Sequence, residues 1–95
     1  MSLDFEFDWD VHNLKHLAKH GISRPDAEDV FSGNHTLLEY QREGDEERWI
    51  AVGATCVGRI LEIVFAVRGE AIRPITGWPA SKEMSDVYAK EWGLE

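Results

Sequence analysis

The chain has 95 residues, and its 43% hydrophobic content with four tryptophans excludes an intrinsically disordered protein. A chain of this length supports one modest core, so residues 1–95 are predicted to form a single domain. Eighteen acidic residues against ten Lys and Arg give a net charge of −8, which argues against a nucleic-acid coat or an anionic membrane surface. The single cysteine, Cys56, excludes an internal disulfide and favours a reducing, cytoplasmic location. No stretch approaches the ~20 apolar residues of a membrane span.

The first third of the chain predicts one strand and two helices. Residues 3–9 alternate between apolar and acidic side chains, which predicts a half-buried strand with an acidic outer face. Residues 10–20 carry apolar side chains at helical spacing and predict the first helix. Ser23 with Asp26 three residues later predicts a capping box, which begins a second helix that ends at Gly33.

The remaining residues predict a group of strands followed by a third helix. A weak strand at 35–41 leads into QREGDEE, which has the composition of a polar turn. The strings RWIAVGAT, RILEIVFAV and EAIRPIT read as three hairpin-connected strands, with an edge or a bulge at Pro74. Residues 80–92 predict the last helix. This order predicts an α+β fold, in which the helices pack on one face of a mostly antiparallel sheet.

The negative charge is concentrated in two tracts. Four acids lie in residues 1–10 and four in residues 43–47, and without them the chain has ten acids and ten bases. The segment from Arg48 to Lys82 carries five bases and two acids. A local positive surface is therefore compatible with the net charge, although these arginines could equally be solubility residues paired with the acidic tracts.

Three histidines recur at intervals of four residues on the first helix, at His12, His16 and His20. Two of them could share a metal ion, but nothing supplies a convincing third ligand, so no metal or other cofactor is expected. The stripe could also be an ordinary solvated surface. A metal-free ribonuclease is the chemistry that these residues suit best, because histidine exchanges protons near neutrality and arginine binds phosphate oxygens.

Four strings, taken in order, resemble the BrnT family, the ribonuclease toxins of bacterial type II toxin–antitoxin systems. They are FDWDxxNxxHxxxHGIS, EERWIAVG, GRILEIVFAVRG and IRPIT, and a helix containing Tyr88 follows them. The resemblance runs from about Phe5 to Tyr88. It implies a RelE-like fold with two N-terminal helices and one C-terminal helix. It also implies metal-independent cleavage of mRNA and neutralisation by a DNA-binding antitoxin, as a homodimer or as a heterotetramer with that antitoxin.

The resemblance also implies which residues act. The catalytic set combines phosphate-binding arginines with side chains that exchange protons, and it comprises His16, His20, Arg48, Arg68, Arg73 and Tyr88. A second set is predicted to bind RNA beside the reacting phosphate, and it comprises Lys15, Lys19, Arg59 and Trp78. Asn13 also matches the family pattern, with no role attached to it.

Two departures from the family keep a second interpretation open. Trp78 stands where family members have an arginine, and the final helix is acidic where theirs is basic. Trp78 could stack on an RNA base or simply pack against the protein. The chain could accordingly be an endoribonuclease or a non-catalytic protein-interaction module on the same fold. Co-purification with a small basic protein, without RNA cleavage, would favour the module.

Overall fold

The computed structural model describes residues 5–94, including the backbone but not the side chains of residues 39–43. The strands form one mixed sheet in the order β1-β5-β4-β3-β2, in which β1 and β5 are parallel and the other neighbours antiparallel. None of the helices in this part of the chain is both long and apolar enough to cross a membrane. The elements are β1 (Glu6–Phe7), α1 (Val11–Ala18), α2 (Arg24–Ser32), β2 (His35–Glu43), β3 (Glu46–Ala54), β4 (Ile60–Arg68), β5 (Ala71–Pro79) and α3 (Lys82–Glu91).

The N-terminal elements are shorter than their sequence patterns predict. Of the strand expected at residues 3–9, only Glu6–Phe7 pairs with β5, and residues 3 and 4 lie outside the described residues. Asp10 is the N-cap of α1 rather than its first residue, because its carboxylate accepts the backbone N–H groups of His12 and Asn13. The capping box predicted at the start of α2, from Ser23 to Asp26, is confirmed.

Two hairpins in the sheet turn through two-residue loops that begin with glycine. Glu43 pairs with Glu46 across Gly44 and Asp45, so the strands run into the segment QREGDEE, which was predicted to be a turn. Gly69 and Glu70 form the equivalent loop between β4 and β5. Both glycines have a φ of +62°, as the first position of a type II′ turn requires. The long-turn prediction is wrong because strand ends at a tight hairpin are as polar as the loop itself.

The helices lie on both faces of the sheet, which corrects the expectation of a single covered face. Gly53 approaches Val30 of α2, since an added Cβ would lie 3.0 Å from the Val30 side chain. The neighbouring Val52 pairs with Thr36, whose hydroxyl donates to Glu91 of α3 at 2.9 Å. Successive residues of a strand point to opposite faces, so α2 and α3 lie on opposite sides of the sheet.

The main core lies between the sheet and α2, with α1 along the edge of β5 beyond the end of β1. Close approach at Gly77 allows α1 to reach this core, because an added Cβ there would lie 3.1 Å from the Leu17 side chain. The register of β5 against β4 shifts beside Pro74, which confirms the bulge predicted there. The cluster comprises Leu17, Ile22, Ala27, Val30, Phe31, Ala51, Leu61, Ile63, Phe65 and Ile72.

Candidate functional site

A polar cleft of about 170 Å³ lies between α1 and the sheet face that carries α3. Helix α1 contributes two histidines and an asparagine to it, and three consecutive strands each contribute an arginine. No carboxylate lines the cleft itself, among the residues that the structure describes. The lining residues are His12, Asn13, His16, Arg48, Arg68, Arg73 and Ile75.

The register of the sheet brings the three arginines together from distant parts of the sequence. Arg73 of β5 pairs with Ala66 of β4. On the other side of β4, Trp49 pairs with Phe65, so the preceding residue Arg48 lies beside Ala66 on β3. Arg68 is two residues farther along β4 and therefore points to the same face. Ala66 is fully buried, and its small side chain leaves the space above it to the longer arginines on either side.

Arg48 and Arg68 share one carboxylate unequally. Arg68 Nε donates to Glu46 Oε2 at 3.0 Å, whereas Arg48 Nε lies 3.7 Å from Glu46 Oε1, beyond hydrogen-bond distance. The hydrogen bond from Arg68, together with the charges of both guanidinium groups, lowers the pKa of Glu46 against the opposing effect of its burial. Arg48 Nε is buried and has no hydrogen-bond partner among the described residues. A buried charged donor of this kind is costly unless an anion accepts from it.

Arg73 forms ion pairs with two carboxylates of the acidic segment that follows β1. Its Nη2 lies 2.9 Å from Asp10 Oδ2 and its Nη1 lies 3.5 Å from Asp8 Oδ1. The side chain of Arg73 is only 14% exposed, so these carboxylates also compensate for its removal from solvent. The result is a guanidinium group of nearly fixed position at one wall of the cleft.

Asn13 joins three elements beneath the cleft. Its Nδ2 donates to the backbone oxygens of Asp8, at 2.9 Å, and of Pro74, at 2.8 Å. Its Oδ1 accepts the backbone N–H of Asp10, which completes a capping box at the start of α1. Asn13 is 2% exposed, so the amide uses its polar atoms internally and holds α1 against the bulged part of β5. Its position in the family pattern is explained by this structural role.

His12 and His16 stand one helical turn apart on α1, and both line the cleft. Both are exposed to solvent. An exposed imidazole in a cleft lined by guanidinium groups can exchange a proton with a bound molecule and with water. The cleft can therefore bind an anion and provide two proton-exchanging groups beside it.

Four of the six predicted catalytic residues lie in this cleft, namely His16, Arg48, Arg68 and Arg73. His20 does not line it, and its ring instead contacts Trp78 edge-on with 6.4 Å between centroids. Tyr88 is 5% exposed beneath α3, where its hydroxyl donates to the backbone oxygen of Asn34 at 3.1 Å.

The residues predicted to bind RNA do not line the cleft either. Lys15 and Lys19 are exposed at the C-terminal end of α1, and Trp78 is half-buried beside His20. Arg59 fastens the connection between α1 and α2, because its Nη1 donates to the backbone oxygen of Gly21 at 3.1 Å and lies 3.5 Å from Asp26.

No role at this cleft was predicted for His12, Asn13 or Ile75, although all three line it. For His12 a signal was available, since its spacing of four residues from His16 puts both side chains on one face of the helix. Ile75 could not be found in this way, because the bulge of β5 brings it into the lining. Within the described part of the chain, no three His, Cys, Asp or Glu side chains are grouped closely enough to hold a metal ion.

Comparison with known proteins identifies the family. Residues 9–83 match the family model described as ribonuclease toxin, BrnT, of type II toxin-antitoxin system. No curated protein matches the chain. The matched range contains every residue that lines the cleft, from His12 to Ile75. The chain belongs to the BrnT family of ribonuclease toxins of type II toxin–antitoxin systems.

Proposed function

We propose that this protein is a metal-independent endoribonuclease, an mRNA interferase, whose arginine cleft binds the scissile phosphate of RNA. The observation that carries the proposal is the convergence of three guanidinium groups and two imidazoles on one cleft. Arg48 Nε supports it further, since this buried donor has no acceptor among the described residues and a phosphate oxygen would satisfy it.

The reaction that suits these groups is an internal transfer within RNA. The 2′-oxygen attacks the adjacent phosphorus while the bond from phosphorus to the 5′-oxygen breaks, which leaves a 2′,3′-cyclic phosphate and a 5′-hydroxyl. A base takes the proton of the 2′-hydroxyl and an acid protonates the leaving oxygen. His12 and His16 are proposed to exchange these protons. The arginines are proposed to stabilise the additional negative charge that phosphorus acquires in the transition state.

The flanking nucleotides are proposed to lie along α1. Lys15 and Lys19 add positive charge on the helix that carries the histidines, and the adjoining rings of His20 and Trp78 offer a surface on which a base could stack. Tyr88 has no place in the proposed reaction, because its hydroxyl is buried and already donates to a backbone oxygen. Arg59 is assigned to holding the loop before α2.

Family membership implies an RNA target and an antitoxin partner. The proposal extends this to a DNA-binding antitoxin, to a homodimer or a heterotetramer with that antitoxin, and to a cytoplasmic location. It also includes a relationship to the RelE fold, which the order of helices and strands around one sheet supports.

The test is cleavage of a short single-stranded RNA by the purified chain in the presence of a metal chelator. We expect Arg48→Ala to lower the cleavage rate about 10²-fold, the effect typical of removing one donor that stabilises transition-state charge. Arg48→Lys is expected to restore little of the cleavage rate, because an ammonium group lacks the forked donors of a guanidinium group.

Two further variants serve as controls. Arg24→Ala removes the same charge from an exposed i,i+4 pair with Glu28 on α2, away from the cleft, and should leave the rate nearly unchanged. Tyr88→Phe should reduce stability without changing the rate. Equal losses in Arg48→Ala and Arg24→Ala would contradict the cleft assignment. A folded wild-type chain that binds a basic partner protein but leaves RNA intact would instead support the non-catalytic interaction module.

A further inference from the structure

The sheet face that carries α2 has an apolar groove beyond the end of that helix. Helix α2 ends at Ser32, and Phe31 near its end contacts Phe65 of β4, with ring centroids 5.0 Å apart. Next to this contact, Leu37 of β2 and Val67 of β4 are exposed to solvent. We call this surface the apolar groove, and it consists of Phe5, Leu37, Trp49, Phe65, Val67 and Ile72.

Three side chains of the groove are exposed, whereas Phe65 and Ile72 are buried members of the core. Leu37 is 54% exposed, Val67 57% and Phe5 42%. Two adjoining recesses of about 300 and 280 Å³ share Leu37, Phe65 and Val67, so the apolar surface is continuous rather than scattered. Contiguous exposed apolar surface is a feature that interaction sites share.

The groove crosses the whole width of the sheet. Its residues come from the edge beside β1, through β5, β4 and β3, to the opposite edge strand β2. Neighbouring strands lie about 4.8 Å apart, so five strands span roughly 19 Å. A helix rises about 1.5 Å per residue, and about 13 residues would fill this length. The dimensions therefore fit one amphipathic helix of three to four turns.

Acidic residues border the groove. Glu70 lines its wall, while Asp45 and Glu47 line a neighbouring recess together with Trp49 and Val67. A second copy of the chain would bring a further net charge of −8 and the same acidic border to this surface. Like charges at an interface cost free energy, so charge complementarity favours a basic occupant.

We infer that the apolar groove binds a basic amphipathic helix of a partner protein. Its apolar side chains would cover Phe5, Leu37 and Val67, and its Lys or Arg residues would lie beside the acidic border. This surface is separate from the cleft, since Val67 and Arg68 are consecutive in β4 and point to opposite faces of the sheet. The inference does not depend on RNA cleavage.

Binding of two labelled 14-residue helical peptides to the full chain tests the inference. One peptide has leucines along one face and lysines elsewhere, and the other has glutamates in place of the lysines. We expect fluorescence anisotropy to show saturable binding of the lysine peptide alone. Leu37→Gln and Val67→Gln should each weaken it about tenfold. Val57→Gln is the matched control, because Val57 is 76% exposed in the β3–β4 loop, away from the groove.

Three outcomes would overturn the inference. One is equal weakening by the substitutions at Val57 and Leu37, and another is equal binding of the glutamate peptide. The third is self-association of the free chain in sedimentation that Leu37→Gln abolishes, since the groove would then be an interface between copies. Peptide binding by a chain that fails to cleave RNA would reject the proposed ribonuclease activity and leave this inference standing.

Discussion

Asp10 stabilises two features of the cleft with one carboxylate. It caps α1 by accepting backbone N–H groups, and it forms an ion pair with Arg73 at 2.9 Å. The hydrogen bond from the backbone of Asn13, followed by the interactions with Arg73, lowers the pKa of Asp10 below its ordinary range despite the opposing effect of desolvation. Local structure at the start of the helix and the position of a cleft arginine therefore depend on the same ionised group.

Stability should consequently depend on pH through Asp10. Because its pKa is lower in the folded state, the unfolded chain binds more protons between the two pKa values, and stability rises with pH there. The contribution is complete above the ordinary Asp value of about 3.9 and is lost as the pH falls through the lowered value. We expect thermal unfolding of wild type and Asp10→Asn to differ most above about pH 5, with the wild type more stable, and to converge in acid.

Asp86→Asn is the control for this titration, because the ion pair of Asp86 within the described residues is with the exposed Lys82 on α3. Its melting temperature should remain close to that of the wild type across the same pH range. A difference between wild type and Asp10→Asn that stays constant down to acid pH would show that the carboxylate charge contributes nothing specific.

At the residue scale, the family resemblance was more informative than residue spacing. Arg48, Arg68, Arg73 and His16 belong to the catalytic set that it implies, and the structure brings these four, but not His20, into one cleft. Tyr88 was grouped with them by its place in the family pattern. Which way a tyrosine on an amphipathic helix points is decided by packing, and here it points into the protein.

At the scale of elements, α1 can contact the sheet closely because Gly77 of β5 has no side chain. An added Cβ at Gly77 would lie 2.8 Å from both the backbone oxygen of Glu62 and the Cδ1 of Ile63. Gly77→Ala should lower the free energy of unfolding by about 1–3 kcal/mol, as overpacking of a filled core does. Urea unfolding would measure this as a lower midpoint with an unchanged slope.

Gly33→Ala provides the comparison for that substitution. Gly33 has a φ of −100°, and an added Cβ would have its nearest neighbour, the backbone oxygen of Asp29, at 3.8 Å. An alanine fits this conformation, so stability should be unchanged or slightly increased. If both substitutions changed the free energy of unfolding equally, the close packing of α1 at Gly77 would not contribute to stability.

Element types followed from periodicity, but some element ends did not. The N-terminal ends of the three helices and the bulge beside Pro74 have local causes, namely a capping side chain and a missing N–H group. The strand ends in QREGDEE have the polar composition of a loop, because strand ends and loops are both exposed to solvent. Which face each helix covers is invisible in its own sequence, since either face of an antiparallel sheet can be apolar.

At the scale of the whole molecule, the two acidic tracts form ion pairs with arginines of the basic middle segment. Asp8 and Asp10 from the first tract hold Arg73, and Glu46 from the second binds Arg68. The paired-charge interpretation of the arginines is therefore correct for these contacts. It is compatible with anion binding, because Arg48 Nε stays without a hydrogen-bond partner among the described residues.

Binding of single-stranded nucleic acid should accordingly depend on salt, but moderately. Each phosphate contact contributes a slope of about −0.7 in log K against log salt, so three arginines could give about −2. Because Arg68 and Arg73 already pair with carboxylates, we expect a slope between about −1 and −2 from about 50 to 200 mM salt. A 2′-deoxy oligonucleotide, which lacks the attacking hydroxyl, allows the measurement without cleavage.

The matched comparison is again Arg48→Ala against Arg24→Ala. The first should make the slope shallower by about 0.7, and the second should leave it unchanged. Affinity that does not respond to salt would mean that phosphate contacts contribute little to binding, and would contradict the assignment of the cleft.

The sequence by itself determined the α+β class, the capping box of α2, the uneven distribution of charge and the family pattern, because each depends on residue type, short spacing or order along the chain. Only the tertiary structure decided that His12 joins the cleft while Tyr88 does not, that acidic tracts hold cleft arginines, and that an apolar groove lies on the opposite face. These features depend on strand register and on the side of the sheet that each helix covers. Both are set by contacts between residues far apart in the chain.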